Sequence, residues 1–361
     1  MRTLFVVFLL SLSLSSVGQT MVKVADSIRR IRGIPCMGYA VFTSDKILDI
    51  GVSGFRKYRT RDSALVTDRF YLGTNTFAFT SYIAAKLVEA GKIKWTTTYI
   101  ELFPQNKSKV KEEFHAVALK DLLSNVSGLA PYNSVNDFAF VPLFPNDIVS
   151  QRRDFSLWLL QRPGLEANRK NKMVISIVGY GVAATMLEKV SGMSWEKMLE
   201  EYINNPLGIS AKVGWPNKVS EQQPWGHWSR YGPLTPEPPD TWLKTYPPII
   251  PGIDLNVTIA DYARFLQEHL RGLRGEKAGL NKKTFDLMHF GIPDYSLGWQ
   301  NAVIGKDRIS FHTGESQLFM AHVELIPEKN IGILVFGNNG ETLGKGGVLN
   351  LCRELRDYYM R

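Results

Sequence analysis

The residues of this sequence that could most readily do chemistry are six histidines and two cysteines. An imidazole can act as a general base or bind a metal ion, and a thiol can bind a metal ion or form a disulfide. The histidines are scattered and neither cysteine has a neighbour at the spacing of a metal site, so the sequence predicts no metal centre and no cofactor. The residues concerned are His115, His227, His269, His289, His312, His322, Cys36 and Cys352.

The segments that must position these side chains begin and end the chain as strands. Residue patterns typical of strands occupy 36–42 and 47–52 near the start, and 319–326 and 331–336 near the end. The last two are joined by Pro327-Glu328-Lys329-Asn330, which predicts a hairpin turn. One sheet built from both ends of the chain is therefore expected.

Helical patterns fill most of the chain between these strands. Apolar residues at helical spacing are followed by a glycine just beyond the helix in several segments, and Thr258 could cap another helix. Helices are predicted at 24–31, 78–89, 117–124, 180–190, 259–270 and 343–359.

The segment from Trp215 to Gly252 breaks this pattern, because its many prolines favour an extended loop. It holds four of the eight tryptophans. Aromatic side chains on such a loop could line a binding cleft, or they could pin the loop onto the surface. The sequence leaves both interpretations open.

The N-terminus predicts export. Arg2 is followed by an apolar run from Leu4 to Leu14 and then by small and polar residues, the layout of a secretory signal peptide. Since a membrane span needs about 20 apolar residues, this run is too short to be one. We therefore expect a signal peptide over 1–18 and an exported protein, periplasmic or extracellular, without a transmembrane span.

Export bears on the two cysteines, since a disulfide can persist outside the cytoplasm. Cys36 lies in a strand-like segment and Cys352 in a helical one, so a disulfide requires these two elements to touch. Two buried free thiols are the alternative, and we favour them.

Composition excludes several classes of protein. With 361 residues, 44% hydrophobic and 21% charged, the chain is neither disordered nor fibrous. Two cysteines are too few for a small protein stabilised mainly by disulfides. The formal net charge of +9 suits an anionic partner. The basic residues are scattered in short clusters and no nucleic-acid module is present, so nucleic acid is not an expected partner.

Eight short segments follow one another in an order that defines a family resemblance. They are 70–80, 122–129, 179–192, 205–209, 225–227, 261–266, 295–299 and 312–314. In this order they resemble the serine β-lactamase and penicillin-binding-protein superfamily, most of all its class C β-lactamase-related branch. The resemblance implies an α/β (α+β) fold, with an antiparallel sheet flanked by N- and C-terminal helices and a helical subdomain. It also implies a sheet subdomain of 19–70 and 292–361, and a mainly helical insertion of 71–291.

The resemblance further implies an acyl-transfer site made of three motifs, two of which are lost here. The Ser-x-x-Lys motif reads Thr74-Asn75-Thr76-Phe77, which keeps a hydroxyl but has no lysine. The Tyr-x-Asn motif, aligned by Gly179-Tyr180, reads Ile175-Ser176-Ile177. The strand motif remains as His312-Thr313-Gly314, and Asn125 stands where relatives often carry histidine.

Loss of the lysine together with the tyrosine predicts a site that no longer catalyses acyl transfer. A lysine left without its partners would be a costly buried charge, whereas Phe77 and Ile175 replace the pair by an apolar patch. We therefore expect a protein without catalytic activity that binds a ligand or partner, such as a peptidoglycan fragment, a peptide or an envelope protein.

Two alternatives stay open. In one, Thr74 acts as the nucleophile of an esterase, amidase or β-lactamase with His312 as a substitute base. In the other, the chain is a structural or interaction protein whose cleft is filled. The oligomeric state is not predicted.

Overall fold

A six-stranded antiparallel sheet joins the two ends of the chain, in a computed structural model that describes residues 20–132, 137–138, 141–165, 172–228, 233–239, 246–340 and 342–361. The signal peptide predicted over 1–18 lies outside the described residues. Across the sheet the strands follow the order 47–54, 36–42, 331–337, 319–326, 307–316 and 300–304. The strands are β1 Cys36–Phe42, β2 Ile47–Gly54, β3 Arg69–Tyr71, β4 Lys212–Val213, β5 His227–Trp228, β6 Thr235–Pro236, β7 Leu255–Thr258, β8 Gln300–Ile304, β9 Asp307–Ser316, β10 Phe319–Ile326 and β11 Ile331–Gly337.

Helices cover both faces of this sheet and fill the middle of the chain. They are α1 20–32, α2 Thr76–Glu89, α3 Tyr99–Leu102, α4 Leu119–Leu123, α5 Ile148–Leu160, α6 Ile177–Ser191, α7 Trp195–Leu199, α8 Asn205–Leu207, α9 Pro216–Val219, α10 Ile250–Ile253, α11 Ile259–Arg274, α12 Lys282–Phe290 and α13 Thr342–Tyr359. A π-helical turn, Glu200–Asn204, connects α7 to α8. Within the described ranges, none of these helices is both long and apolar enough to cross a membrane.

The sheet separates two hydrophobic cores because successive side chains of a strand point to opposite faces. In β1, Tyr39 and Val41 pack into the smaller core with α1 and α13, whereas Ala40 and Phe42 pack into the larger core with the middle helices. Cys36 belongs to the larger core, and Cys352 to the smaller one. Both are buried free thiols, as we favoured, and the sheet lies between them.

The helix and strand predictions are confirmed in type and differ at the boundaries. The predicted helix 180–190 begins three residues earlier, at Ile177, because the Ser176 side chain accepts a hydrogen bond from the Gly179 N–H and caps the helix. The predicted turn at 327–330 is a short 3₁₀ turn, with Asn330 in the left-handed conformation.

In the described part of the loop from Trp215 to Gly252, aromatic side chains hold the chain against the protein surface. Trp215 stacks on Tyr71, with ring centroids 4.3 Å apart. The Lys57 ammonium lies over the Trp225 ring, 3.6 Å from its centroid. These contacts favour the interpretation in which the tryptophans pin the loop.

A buried ion pair holds α5 against α6 and α7. Arg152 of α5 is fully buried and contacts Glu188 of α6 at 2.9 Å and Glu196 of α7 at 3.0 Å. Since a buried charge is stable only when it is paired, this contact fixes α5 against α6.

Candidate functional site

The candidate site begins where β3 turns into α2. Gly73 takes a positive φ of 56°, and a 3₁₀ turn over Gly73–Asn75 leads into the helix. A β-carbon on Gly73 would lie 2.7 Å from the backbone oxygen of Glu315, so glycine lets this turn approach β9 closely. The turn leaves Thr74 half-buried and places Phe77, one helical turn later, fully inside the protein.

Thr74 and His312 meet across this turn. His312 Nε2 lies 3.2 Å from the Thr74 hydroxyl oxygen, and His312 Nδ1 lies 2.9 Å from the Gly298 carbonyl oxygen. A carbonyl oxygen can only accept, so Nδ1–H donates to Gly298 and Nε2 accepts from Thr74. This is the arrangement of a hydroxyl and a general base, and it joins two residues that are far apart in the sequence.

Burial makes His312 a weak base. It lowers the pKa of the imidazole to about 4, so the ring is neutral at neutral pH. A base is most effective when its pKa lies near the working pH. A backbone carbonyl, rather than a carboxylate, orients the ring. The pair therefore has the geometry of a nucleophile and base, with little driving force for proton transfer.

Phe77 fills the position at which the family resemblance implies a lysine. Its ring stacks on Tyr180, with centroids 3.7 Å apart and planes 3° apart, and the ring of His312 meets it edge-on at 5.6 Å. The Tyr180 hydroxyl donates to the Leu123 carbonyl oxygen at 2.6 Å. The position is therefore occupied by an aromatic stack with no basic group in it.

The segment predicted to replace the Tyr-x-Asn motif, 175–177, lies at the N-terminus of α6. Ser176, its middle residue, is the helix cap, and its N–H donates to Asn125 Oδ1 at 3.0 Å. Ile177 is buried in the larger core and Ile175 is half-buried against it. Neither isoleucine side chain can donate or accept a proton, so this segment contributes packing and a helix cap.

Gly314 brings β9 into contact with the start of α2. A β-carbon at this position would overlap the Leu72 carbonyl oxygen and would lie 2.8 Å from the Asn75 backbone nitrogen. Both are backbone atoms, which cannot move away as a flexible side chain can. Glycine is therefore required for the approach that brings His312 to Thr74.

Gly314→Ala is expected to destabilise the protein by about 3 kcal/mol, because the added methyl group forces β9 away from α2. Urea unfolding followed by circular dichroism measures the loss. Gly346→Ala in α13 is the control, since its nearest contact would be Arg32 Nη1 at 3.5 Å. Alanine favours a helix by about 1 kcal/mol over glycine, so this variant should be as stable as the wild type or more so. Equal stabilities of the two variants would contradict the tight contact at Gly314.

Two residues that shape the site were not predicted as part of it. Tyr180 served only to align the motif, and its role as the stacking partner of Phe77 depends on helix packing. The Gly298 carbonyl oxygen fixes the His312 tautomer. It is a backbone atom, so the residue types in the sequence do not reveal its role. Gly298 has a positive φ of 85°, and its place in the 295–299 segment was the available clue.

The fold and the order of the motifs define a class of protein. The family model described as Beta-lactamase matches residues 23–351. The chain belongs to this family. The predicted resemblance is therefore confirmed.

Two curated relatives are named as a penicillin-binding protein and as a carboxypeptidase. Penicillin-binding protein 4 of Amycolatopsis lactamdurans is 23% identical over 332 residues, which cover 87% of this chain and 84% of that protein. A "Putative D-alanyl-D-alanine carboxypeptidase" of Salmonella gallinarum is 27% identical over 162 residues, which cover 42% of this chain and 35% of that protein.

Solved structures confirm the predicted fold. An octameric penicillin-binding protein homologue from Pyrococcus abyssi has a TM-score of 0.74 and 19% identity, covering 93% of this chain and 77% of that chain. A class C beta-lactamase has a TM-score of 0.75 and 16% identity, covering 96% of this chain and 97% of that chain. At these identities the likeness concerns the fold, an antiparallel sheet with helices.

Proposed function

We propose that this chain is an exported, non-catalytic member of the Beta-lactamase family whose altered site binds a peptide ligand or a partner in the cell envelope. The observation that carries the proposal is the stack of Phe77 on Tyr180, with ring centroids 3.7 Å apart. Phe77 is fully buried at the position of the expected lysine, so acyl transfer by the family route has no proton carrier there.

An extended peptide is the ligand class that the site favours. In the described part of the sheet, β8 pairs with β9 only from Asp307 to Phe311. The following residues of β9, His312 to Ser316, lie beyond the end of β8 and beside the half-buried Thr74. An extended segment can add to such a strand edge through main-chain hydrogen bonds. The names of the relatives suggest peptides that end in D-alanyl-D-alanine as the first ligands to test.

A second candidate function is hydrolysis that uses Thr74 and His312. The 3.2 Å contact between His312 Nε2 and the Thr74 hydroxyl oxygen favours it. The pKa of about 4 for His312 weighs against it, since such an imidazole takes a hydroxyl proton poorly at neutral pH.

The purified protein is expected to show no turnover of a chromogenic cephalosporin or of short-chain p-nitrophenyl esters, and no covalent adduct with a fluorescent penicillin. Steady-state rates should equal those of Thr74→Val, which removes the hydroxyl and keeps the size of the side chain. Turnover or an adduct that disappears in Thr74→Val would establish the second candidate instead.

Ligand binding separates the proposal from a structural role with a filled cleft. A ligand that binds only the folded protein raises the thermal midpoint by mass action. Muropeptides ending in D-alanyl-D-alanine should raise it, and the same peptides with two L-alanines are the matched control. Absence of a shift with all muropeptides would leave the filled cleft as the better account.

A further inference from the structure

Two basic clusters that are separate in the sequence lie side by side in the structure. The C-terminal half of α1 packs against the end of β2, where Arg29 Nε donates to the Ser53 hydroxyl oxygen at 3.1 Å and the Arg29 guanidinium lies 5.8 Å from the centroid of the Phe55 ring. The Phe55 N–H donates to the carbonyl oxygen of Pro35, just beyond α1, at 2.8 Å. Helix α1 and residues 55–68 therefore form one surface at this edge of the sheet, which we call the β2-edge surface.

The β2-edge surface carries more than half of the net charge of the chain. It holds eight Lys and Arg residues against three Asp residues, a net charge of +5 out of the formal +9. The three aspartates pair with Arg29, Arg30 and Arg56, so an anionic partner would meet the remaining cations. Two of these, Arg59 and Arg61, are exposed.

Apolar side chains are exposed among these cations. Leu65 is 50% exposed, Val66 39% and Phe55 36%. Phe55 pairs with Ser63 in an antiparallel bridge, which holds Leu65 and Val66 near the end of β2. At the end of α1, Ile31 is 78% exposed. The β2-edge surface thus holds four of the ten large apolar side chains that are exposed among the described residues.

From these observations we infer that the β2-edge surface binds the anionic face of a lipid bilayer. Each arginine or lysine close to acidic headgroups strengthens binding about fivefold, and exposed apolar side chains enter the boundary between headgroups and acyl chains. A water-soluble polyanion would use the charges alone. A bilayer is the partner that uses the charges and the apolar side chains together. This inference does not depend on ligand binding at Thr74.

The competing account is a solvated surface that meets no partner. Cation–π contacts within the protein favour it, since the Lys57 ammonium lies 3.6 Å from the centroid of the Trp225 ring and the Arg59 guanidinium lies 5.3 Å from that of Tyr58. The exposed apolar side chains favour the bilayer, because exposed apolar groups gathered in one place mark an interaction site. The test therefore changes the charged and the apolar side chains separately.

The test measures binding of the mature chain, residues 19–361, to lipid vesicles by sedimentation. This form lacks the apolar run over 4–14, which could bind a bilayer by itself. We expect binding to vesicles of phosphatidylglycerol and phosphatidylcholine that is at least about tenfold tighter than binding to phosphatidylcholine alone. Raising the salt concentration from about 0.1 M to about 0.5 M should weaken it. Equal binding to both kinds of vesicle, or binding to neither, would overturn the inference.

A pair of charge variants locates the electrostatic contact. Arg59→Gln combined with Arg61→Gln should weaken binding to the acidic vesicles at least about tenfold. Lys109→Gln combined with Lys111→Gln is the matched control, because it removes two exposed cations at the same spacing from another part of the surface. Equal losses in the two double variants would show attraction by the overall charge of the protein, which would overturn the assignment to the β2-edge surface.

A pair of apolar variants tests contact with the bilayer itself. Leu65→Ser combined with Val66→Ser should weaken binding about tenfold. Val303→Ser combined with Ile304→Ser is the matched control, since these two exposed side chains lie on β8 at the other edge of the sheet and should not affect binding. Circular dichroism verifies the fold, and Val66→Ser alone replaces the double variant if that variant unfolds. Unchanged binding after the apolar substitutions would indicate attraction by charge alone, as to a soluble polyanion, and would overturn the inference.

Discussion

Lowering the pH from about 7 to about 5 is expected to reduce the free energy of unfolding by about 5 kcal/mol, because buried histidines must stay neutral in the folded protein. Burial lowers the pKa of His227 and His312 to about 4 and that of His269 to about 3, and it holds the pKa of His289 well below its usual value. The unfolded chain binds these protons near pH 6.5, and the folded chain does not bind them until far lower pH. Stability is therefore full above about pH 6.5 and is lost as the pH falls.

Burial is the main reason why these histidines resist protonation, and the groups that face some of their ring nitrogens also oppose it. The Tyr58 N–H donates to His227 Nε2 at 3.0 Å, and His227 Nδ1–H donates to the Asn338 carbonyl oxygen at 2.8 Å. A proton on Nε2 would face another donor. His269 Nδ1 and His289 Nε2 lie 2.9 Å apart, so only one of these two nitrogens can carry a proton.

One buried carboxyl group acts in the opposite direction. Burial raises the pKa of Glu188 to about 7, so acidification relieves the cost of keeping its charge inside the protein. Since this is one group against four histidines, the net effect remains a loss. A total near 5 kcal/mol is comparable with the whole stability of a domain, which is about 5–15 kcal/mol.

Urea unfolding between about pH 8 and about pH 5 measures how the free energy of unfolding changes with pH. Each proton that the unfolded chain binds and the folded chain does not contributes about 1.4 kcal/mol per pH unit to this slope. His227→Gln keeps one donor and one acceptor but cannot titrate. It should lower the slope by the contribution of about one proton. His115→Gln, at a half-buried position, is the control and should change the slope less. A stability that stays constant over this range would contradict the prediction.

Phe77→Lys is expected to destabilise the protein by at least about 4 kcal/mol without creating activity. The substitution removes a fully buried ring from its stack on Tyr180 and puts an ammonium group in its place. The ring contacts of Phe77 are with Tyr180 and His312, and Ile175 and Ile177 bring no acidic or basic group. Among the described residues, these contacts offer the ammonium group no carboxylate to pair with.

Phe77→Leu separates the loss of the ring from the burial of charge. It keeps an apolar side chain and should cost about 1–2 kcal/mol. Urea midpoints and the yield of soluble protein measure both variants, and a chromogenic cephalosporin measures activity. Hydrolysis by Phe77→Lys above that of Phe77→Leu would show that the site still holds the partners a lysine needs, and would contradict the non-catalytic function.

Local sequence patterns predicted much of the fold. The strand-like pattern in 36–42 and the turn at 327–330 depend on neighbours in the chain, and both features are present. The boundaries were less accurate, because the cap of α6 is Ser176, which lies before the glycine and tyrosine that marked the helix in the sequence.

By itself, the sequence determined the family and the order of the elements, and it led us to predict the loss of the lysine and tyrosine side chains, since these depend on residue type and spacing. Only the tertiary structure decided which groups meet. It placed the Thr74 hydroxyl 3.2 Å from His312 and Phe77 on Tyr180, and it brought the basic segments 29–32 and 56–61 together at the end of β2. Such contacts join residues distant in sequence, and they are set by how strands and helices pack, which no local pattern records.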